Sequence, residues 1–296
     1  MAEQSETYHD QICNFSITER DARGRLVRLN RSVGDVLAKH RYPEPIKHLL
    51  AEALALAALM GSLQKELGSQ FTMQAQTNSG PVRLLVVDFK AGELRGYADF
   101  DRDKVSNVGA NPSLSRLFGD GFLAITFETG SGQRYQGVVP LEGDSLSQAC
   151  EHYFSQSEQI PTIVRLGSYI TADNCFVGGL LVQYLPKGEV GRDRLHARME
   201  HPDWNHISVL SGSMSHAELI DPTLSMEALV WRLFHEEEKV LTEKGHELKK
   251  GCRCTKKHYE RIISQFPSSE KDQMRNENGK IVVDCSFCSK QFLLGL

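Results

Sequence analysis

Near its C-terminal end the chain carries Cys252-Arg253-Cys254 and, well separated from it, Cys285-Ser286-Phe287-Cys288. These are four of the seven cysteines in 296 residues, and they arrive as two tight pairs. Each pair can supply two corners of a tetrahedron while the intervening chain closes the loop, which is what a structural Zn²⁺ site requires. The 285/288 half has the spacing of an ordinary zinc knuckle. The 252/254 half has a single spacer residue and a tighter bite. One Zn²⁺ held by Cys252, Cys254, Cys285 and Cys288 is therefore the expected ligand set. The bland alternative is a purely architectural clip. A thioredoxin-like redox motif is the weaker reading, because such motifs sit in a βαβ context and this one follows a charged segment at the C-terminus.

The terminal piece, 246–296, is too small to fold on apolar burial alone. Its apolar complement is Ile262, Ile263, Phe266, Ile281, Val282, Val283, Phe287, Phe292, Leu293 and Leu294. Modules of this size rarely fold without a metal or disulfides. Structural zinc supplies roughly 10–16 kcal/mol in small peptides, and that energy is also folding energy. Loss of the metal is expected to unfold the module, so oxidation of the sulfurs would act as an order-to-disorder switch. Lys249, Lys250, Arg253, Lys256, Lys257 and Arg261 surround the first pair and Lys290 stands beside the second. Such cations keep sulfur deprotonated, and thiolate is what peroxide attacks. The same basic run could instead contact nucleic acid, as in many zinc ribbons, or be a solvated face.

The formal net charge of −4, with 40% hydrophobic and 24% charged residues, fits a globular chain and counts against nucleic acid as a global partner. The N-terminus is polar and predicts no signal peptide. The apolar run 49–63 is too short for a membrane span and contains Glu52. A cytoplasmic protein is expected, in which paired thiols favour metal or redox sensing over permanent disulfides. Cys13, Cys150 and Cys175 stand alone and read as buried small hydrophobes. No Gly-rich phosphate loop appears, the histidines 196, 201, 206 and 216 form no ligand spacing, and His246 and His258 read as surface residues beside four competing thiolates. The chain is not expected to be an enzyme.

Residues 1–186 read as an α+β layered domain of sheets and helices. Strands are predicted over 24–29, 71–76, 82–89, 94–100, 122–127, 134–139, 163–170 and 176–185, with a hairpin turn at Gly130-Ser131-Gly132 and another at Asp173-Asn174. Helices are predicted from Ser32 as N-cap, over 46–60 with Gly68 as stop, and from Ser145 to about Gln159. The alanine-rich stripe of the second implies tight packing on a sheet. Residues 187–245 read as an amphipathic helical connector, with Asp221 and Pro222 starting a helix that carries Leu224, Ala228, Trp231 and Leu233. Plain domain packing explains that stripe; the sharper expectation is a conditional cover over an apolar surface. Residues 246–296 form the zinc-binding domain.

Beyond the cysteines, several segments carry a resemblance in order along nearly the whole chain. They are Tyr42-Pro43-Glu44-Pro45, Tyr135-Gln136-Gly137-Val138-Val139 with Leu141-Glu142-Gly143, Tyr153-Phe154 with Ser157-Glu158-Gln159-Ile160-Pro161, and Trp231-Arg232-Leu233-Phe234-His235-Glu236-Glu237-Glu238. With them the sequence resembles the heat-shock protein 33 family of redox-regulated bacterial holdase chaperones. The resemblance implies an inactive, reduced, zinc-bound state. Oxidation would pair Cys252 with Cys254 and Cys285 with Cys288, release zinc, unfold the C-terminal module and loosen the connector. A bridge across one residue should be strained and readily reduced again. The active form, favoured by homodimerisation, would hold unfolding client proteins without ATP and pass them to an ATP-dependent foldase. Family members usually continue with a further helical segment, whereas this sequence stops at Leu296, so a less well packed zinc module is expected here. The client-binding residues are not assigned by the sequence.

Overall fold

Between Glu44 and Gly61 almost every side chain is apolar, and a helix apolar on all sides must be covered on all sides. In the computed structural model, which describes residues 9–64, 66–185 and 201–295, that helix is the centre of the molecule. It lies between two sheets, antiparallel except for the short β11 beside β5, and contacts strands of both. In chain order the strands are β1 (Gln11–Ile17), β2 (Ala22–Leu29), β3 (Gln70–Thr77), β4 (Val82–Lys90), β5 (Glu93–Phe100), β6 (Gly121–Glu128), β7 (Arg134–Pro140), β8 (Thr162–Ile170), β9 (Cys175–Tyr184), β10 (Val240–Glu247), β11 (Lys249–Lys250), β12 (Ile281–Asp284) and β13 (Gln291–Leu294). One sheet has the order β10-β1-β2-β9-β8 and the other β11-β5-β4-β3-β6-β7. β12 and β13 form a separate hairpin. This is the expected α+β architecture, with the alanine stripe serving two sheets rather than one.

In the first sheet, β2 and β9 are buried on both faces. Ile12, Val27, Leu29, Val177 and Leu181 point to the central helix. The alternate residues Phe15, Ile17, Leu26, Leu180, Val182 and Tyr184 point the other way, under the helices Pro202–Gly212, His216–Ile220 and Met226–Phe234. That explains why β9 reads as a continuous apolar run rather than an alternating one. The covering helices supply Trp204, Ile207, Leu219, Leu229, Val230, Leu233 and Phe234, with the Phe234 ring centroid 5.6 Å from that of Phe15. Gly178 lets the short helix approach closely: a Cβ there would lie 2.3 Å from the Leu219 carbonyl oxygen. Polar ties fix the same cover. The buried Arg28 guanidinium donates to the carbonyl oxygens of Asp221, at 3.0 Å, and Leu224. Arg20 pairs with Asp203 at 2.6 Å and with Glu237 at 3.0 Å, and Glu237 also meets His206 at 2.7 Å.

Several local expectations are corrected. Ser32 is not the N-cap of its helix. Asn30 holds that position without a side-chain bond, and the Asp10 carboxylate accepts instead from the backbone N–H groups of Asn30 and Ser32 and from the Ser32 hydroxyl. The central helix stops at Gly61, and Gly68 lies beyond it in a turn with φ of +84°. Asp221 and Pro222 do not start a helix: the Asp221 carboxylate closes a turn on Thr223, and Ser225 caps the helix that begins at Met226. The connector, read as helical over 187–245, ends in a strand: β10 pairs antiparallel with β1. Residues 187–200 of that reading lie outside the described residues. Cys13, Cys150 and Cys175 are buried as expected, and burial pushes their thiols up to about 11, 12 and 12.

Candidate metal centre

After β10 the chain crosses from one sheet edge to the other. β11 pairs parallel with β5, and the Gly251 N–H donates to the Leu94 carbonyl at 2.8 Å. This delivers Cys252 and Cys254 to the core surface in extended chain. Thr255 then caps the helix Lys256–Ser264 by accepting from the His258 N–H at 3.2 Å. The second pair sits in the turn joining β12 to β13. There the Cys285 N–H donates to the Lys290 carbonyl and the Ser289 N–H to the Cys285 carbonyl, with Ser289 in the left-handed region at φ 56°.

The four sulfurs converge. Cys252 lies 3.4 Å from Cys254 and 3.7 Å from Cys285, Cys254 lies 3.4 Å from Cys288, and all four ligand atoms are within 4.8 Å of one another. Four sulfurs placed about 2.3 Å from a central zinc would form a tetrahedron with edges of about 3.8 Å. The donor set therefore fits a thiolate-bound metal ion. The electrostatics agree, because four thiols this close cannot all ionise by themselves. Burial opposes ionisation of Cys285, but hydrogen bonds from the Tyr259 hydroxyl and the backbone N–H groups of Cys288 and Phe287 outweigh it and bring the thiol down to about 6. Burial pushes Cys254 and Cys288 up, and for Cys254 the neighbouring sulfurs add to the rise. A cation at the centre is what would let the remaining sulfurs ionise.

The surrounding module has little else to hold it. Ile281, Cys285, Phe292 and Leu294 are its buried cluster, with Tyr259, Ile263, Val283 and Phe287 partly buried against them. Its two helices, Lys256–Ser264 and Ser268–Met274, bury no residue fully. His246 and His258 are exposed and stand outside the sulfur cluster, as read from the sequence.

Four of the basic residues, Lys249, Arg253, Lys256 and Lys290, take other partners than the sulfurs. Lys249 meets Glu93 at 3.6 Å, Lys256 meets Glu260 at 3.8 Å, and the Lys290 ammonium stands 5.3 Å from the centre of the Phe292 ring. Arg253 turns into the core and donates to the Asp88 carboxylate at 3.1 Å. Asp88, on β4, also accepts from Thr72 on β3 at 2.6 Å and from Arg95 on β5. The Arg95 guanidinium lies 4.2 Å from the centre of the Phe287 ring, and the Ser289 hydroxyl donates to the Lys39 carbonyl at 2.9 Å. The sequence does not reveal this docking set. Its one signal is an aspartate inside the apolar run of β4.

A family model described as Hsp33 protein matches residues 10–294. The chain belongs to the Hsp33 family. Among its relatives, the 33 kDa chaperonin of Caulobacter vibrioides is 40% identical over 296 residues, covering 96% of this chain and 94% of that protein. That of Pseudomonas fluorescens is 36% identical, covering 94% and 88%, and that of Shigella boydii is 32% identical, covering 96% and 92%. The crystal structure of the 33 kDa chaperonin from Thermotoga maritima, a heat shock protein 33 homologue, has the same fold, with a TM-score of 0.77 at 20% identity over 97% of this chain and 95% of that one. Hsp33 proteins are named as chaperonins, which are not enzymes. Among the described residues no helix is long and apolar enough to cross a membrane.

Proposed function

We propose that this Hsp33 protein is an ATP-independent holdase gated by the redox state of Cys252, Cys254, Cys285 and Cys288. The observation that supports it best is the sulfur cluster at tetrahedral spacing inside a module whose other buried side chains are Ile281, Phe292 and Leu294. Bound Zn²⁺ would supply a charge-neutralising cross-link between the two halves of that module. With the cysteines reduced, the module stays ordered and the chaperone is inactive.

Oxidation acts on the sulfurs themselves. The Cys285 thiolate attacks the O–O bond of peroxide, hydroxide leaves, and a sulfenic acid forms. The Cys288 thiolate then attacks that sulfur and expels a second hydroxide, so two sulfurs have each lost one electron and peroxide has gained two. A second peroxide joins Cys252 to Cys254 in the same way. Sulfurs tied in pairs are no longer ligands, and the module loses its cross-link. The unfolding reaches β10 directly, because Leu248 alone separates β10 from β11. The connector then loosens from the face formed by Phe15, Ile17, Leu26, Leu180, Val182 and Tyr184, which becomes the client surface. An oxidised homodimer acting in the cytoplasm, with clients passed to an ATP-dependent foldase, completes the reading. The zinc-ribbon alternative, a nucleic-acid contact, is the weaker reading: Arg253 turns into the core onto Asp88 and the chain carries a net charge of −4.

The test is light scattering of a heat-unfolding client with zinc release followed in the same cuvette. Suppression of aggregation by the peroxide-treated, zinc-free protein alone would support the switch. Zinc release without any change in aggregation would refute it.

A further inference from the structure

Among the contacts between the metal module and the core, one is reached by both cysteine pairs. Thr72, Asp88 and Arg95 are direct cross-strand partners on β3, β4 and β5, so they form a row across the sheet. The Asp88 side chain is 3% exposed and the Arg95 side chain 19%. Arg253, the residue between Cys252 and Cys254, donates to the same Asp88 oxygen as Arg95. Phe287, one of the two residues between Cys285 and Cys288, covers the Arg95 guanidinium. The spacer residues of both pairs therefore clasp one Asp88–Arg95 pair.

We propose that Asp88 and Arg95 form a receptor site on the core for the assembled cysteine module, with Arg253 and Phe287 as its two contacts, so that docking at Asp88 holds the sulfurs together and retards their oxidation. The proposal rests on the redox-switch reading and assigns positioning residues to it. The charges give it direction. One carboxylate faces two guanidiniums, so the site carries a surplus positive charge beside a cluster that would be −2 with four thiolates around Zn²⁺. Removing the Asp88 charge leaves two guanidiniums facing each other in a partly buried space, which drives the module away. Removing the Arg253 charge leaves Asp88 satisfied by Arg95 and Thr72, so the core is spared. If either pair closes into a disulfide, its spacer residue must reorient, and the clasp is lost from that side.

The experiment uses the full chain, reduced and zinc-loaded, and follows zinc release to a chromogenic chelator under a fixed excess of peroxide. Thermal unfolding of the core is measured alongside. D88N is expected to release zinc roughly tenfold faster, the scale of a lost charge-assisted bond. R253Q should also release faster while leaving the core midpoint unchanged, so a folding defect in D88N does not leave the question open. The double variant should be no faster than D88N, since both remove one contact. Wild-type release rates in both single variants, or additive effects in the double, would overturn the receptor site while leaving the switch intact. If wild-type protein suppresses aggregation equally before and after zinc release, the switch reading itself fails, whatever the variants do.

Discussion

Replacing Gly178 with alanine tests the connector without touching a cysteine. The new Cβ would stand 2.3 Å from the Leu219 carbonyl oxygen, 2.7 Å from its carbon and 2.9 Å from its Cβ. Ordinary contact begins near 3.4 Å, so the helix His216–Ile220 must retreat by about 1 Å. Backbone cannot rotate aside as a side-chain tip can. β9 is hydrogen-bonded to β2 and β8 on its two sides and will not give, so the strain falls on the connector. Overpacking of this kind costs roughly 1–3 kcal/mol, equivalent to roughly a 5- to 150-fold shift toward the undocked connector. Hydrogen exchange of reduced, zinc-loaded protein should show that acceleration in 202–234, with β3 and β4 unchanged. The same sample should suppress client aggregation partially without oxidant. Gly34, where an added Cβ would meet nothing within 4 Å, gives the control G34A, which should be neutral or slightly stabilising. Wild-type exchange in G178A would refute the packing argument. Faster exchange with no gain in client binding would refute the covered face as the client surface.

Other outcomes follow from the same structure. C288S should lose metal retention and leave the amides of 252–294 exchanging as in an unfolded chain, with the midpoint of the core unaltered. A strong chelator should bring the reduced wild type to the same end state, checked by the same exchange map. E237A removes a carboxylate shared by Arg20 and His206 and should destabilise connector docking by about 1–3 kcal/mol, read by urea unfolding of the fluorescence of Trp204 and Trp231. Burial raises the pKa of Glu52, opposed by the Ser168 hydroxyl that donates to it at 2.9 Å. The folded state thus holds that proton more firmly than the unfolded chain, and the ionised form costs stability above the ordinary carboxylate range. E52Q should therefore raise the thermal midpoint at neutral pH, with the gain vanishing as pH falls toward about 4.

The cysteine cluster and most of the sheets are legible because each rests on local signals. Paired cysteines announce themselves by spacing, and β3 to β9 by apolar runs between turn residues. What the sequence hides depends on residues far apart in the chain. Ser32 looks like a cap, but Asp10 reaches the helix start from across the fold. β10 has the exposed sequence of a solvated segment and becomes a strand because β1 offers it an open ladder. β1 itself buries Ile12 and Cys13 side by side before Phe15 and Ile17, and that break in alternation blurs its strand signal. Arg253 resembles a thiolate partner by proximity in sequence, yet a buried carboxylate on β4 outcompetes the sulfurs for it. Asp88 stands out as an anomaly in its strand, but nothing local names its partners.

Residues 240–250 close an edge of each main sheet in a single stroke, β10 along β1 and β11 along β5. Their side chains are mostly charged or polar and exposed, so the molecule shows neighbours an uninviting border. Taking that stretch away would bare two unpaired ladders, one on each layer of the sandwich. Such ladders recruit any extended chain, including another copy of the same protein. On the proposed switch, the quiet border of the reduced form and the stickiness of the oxidised one would have a common origin, and protein concentration would become a control variable of its own.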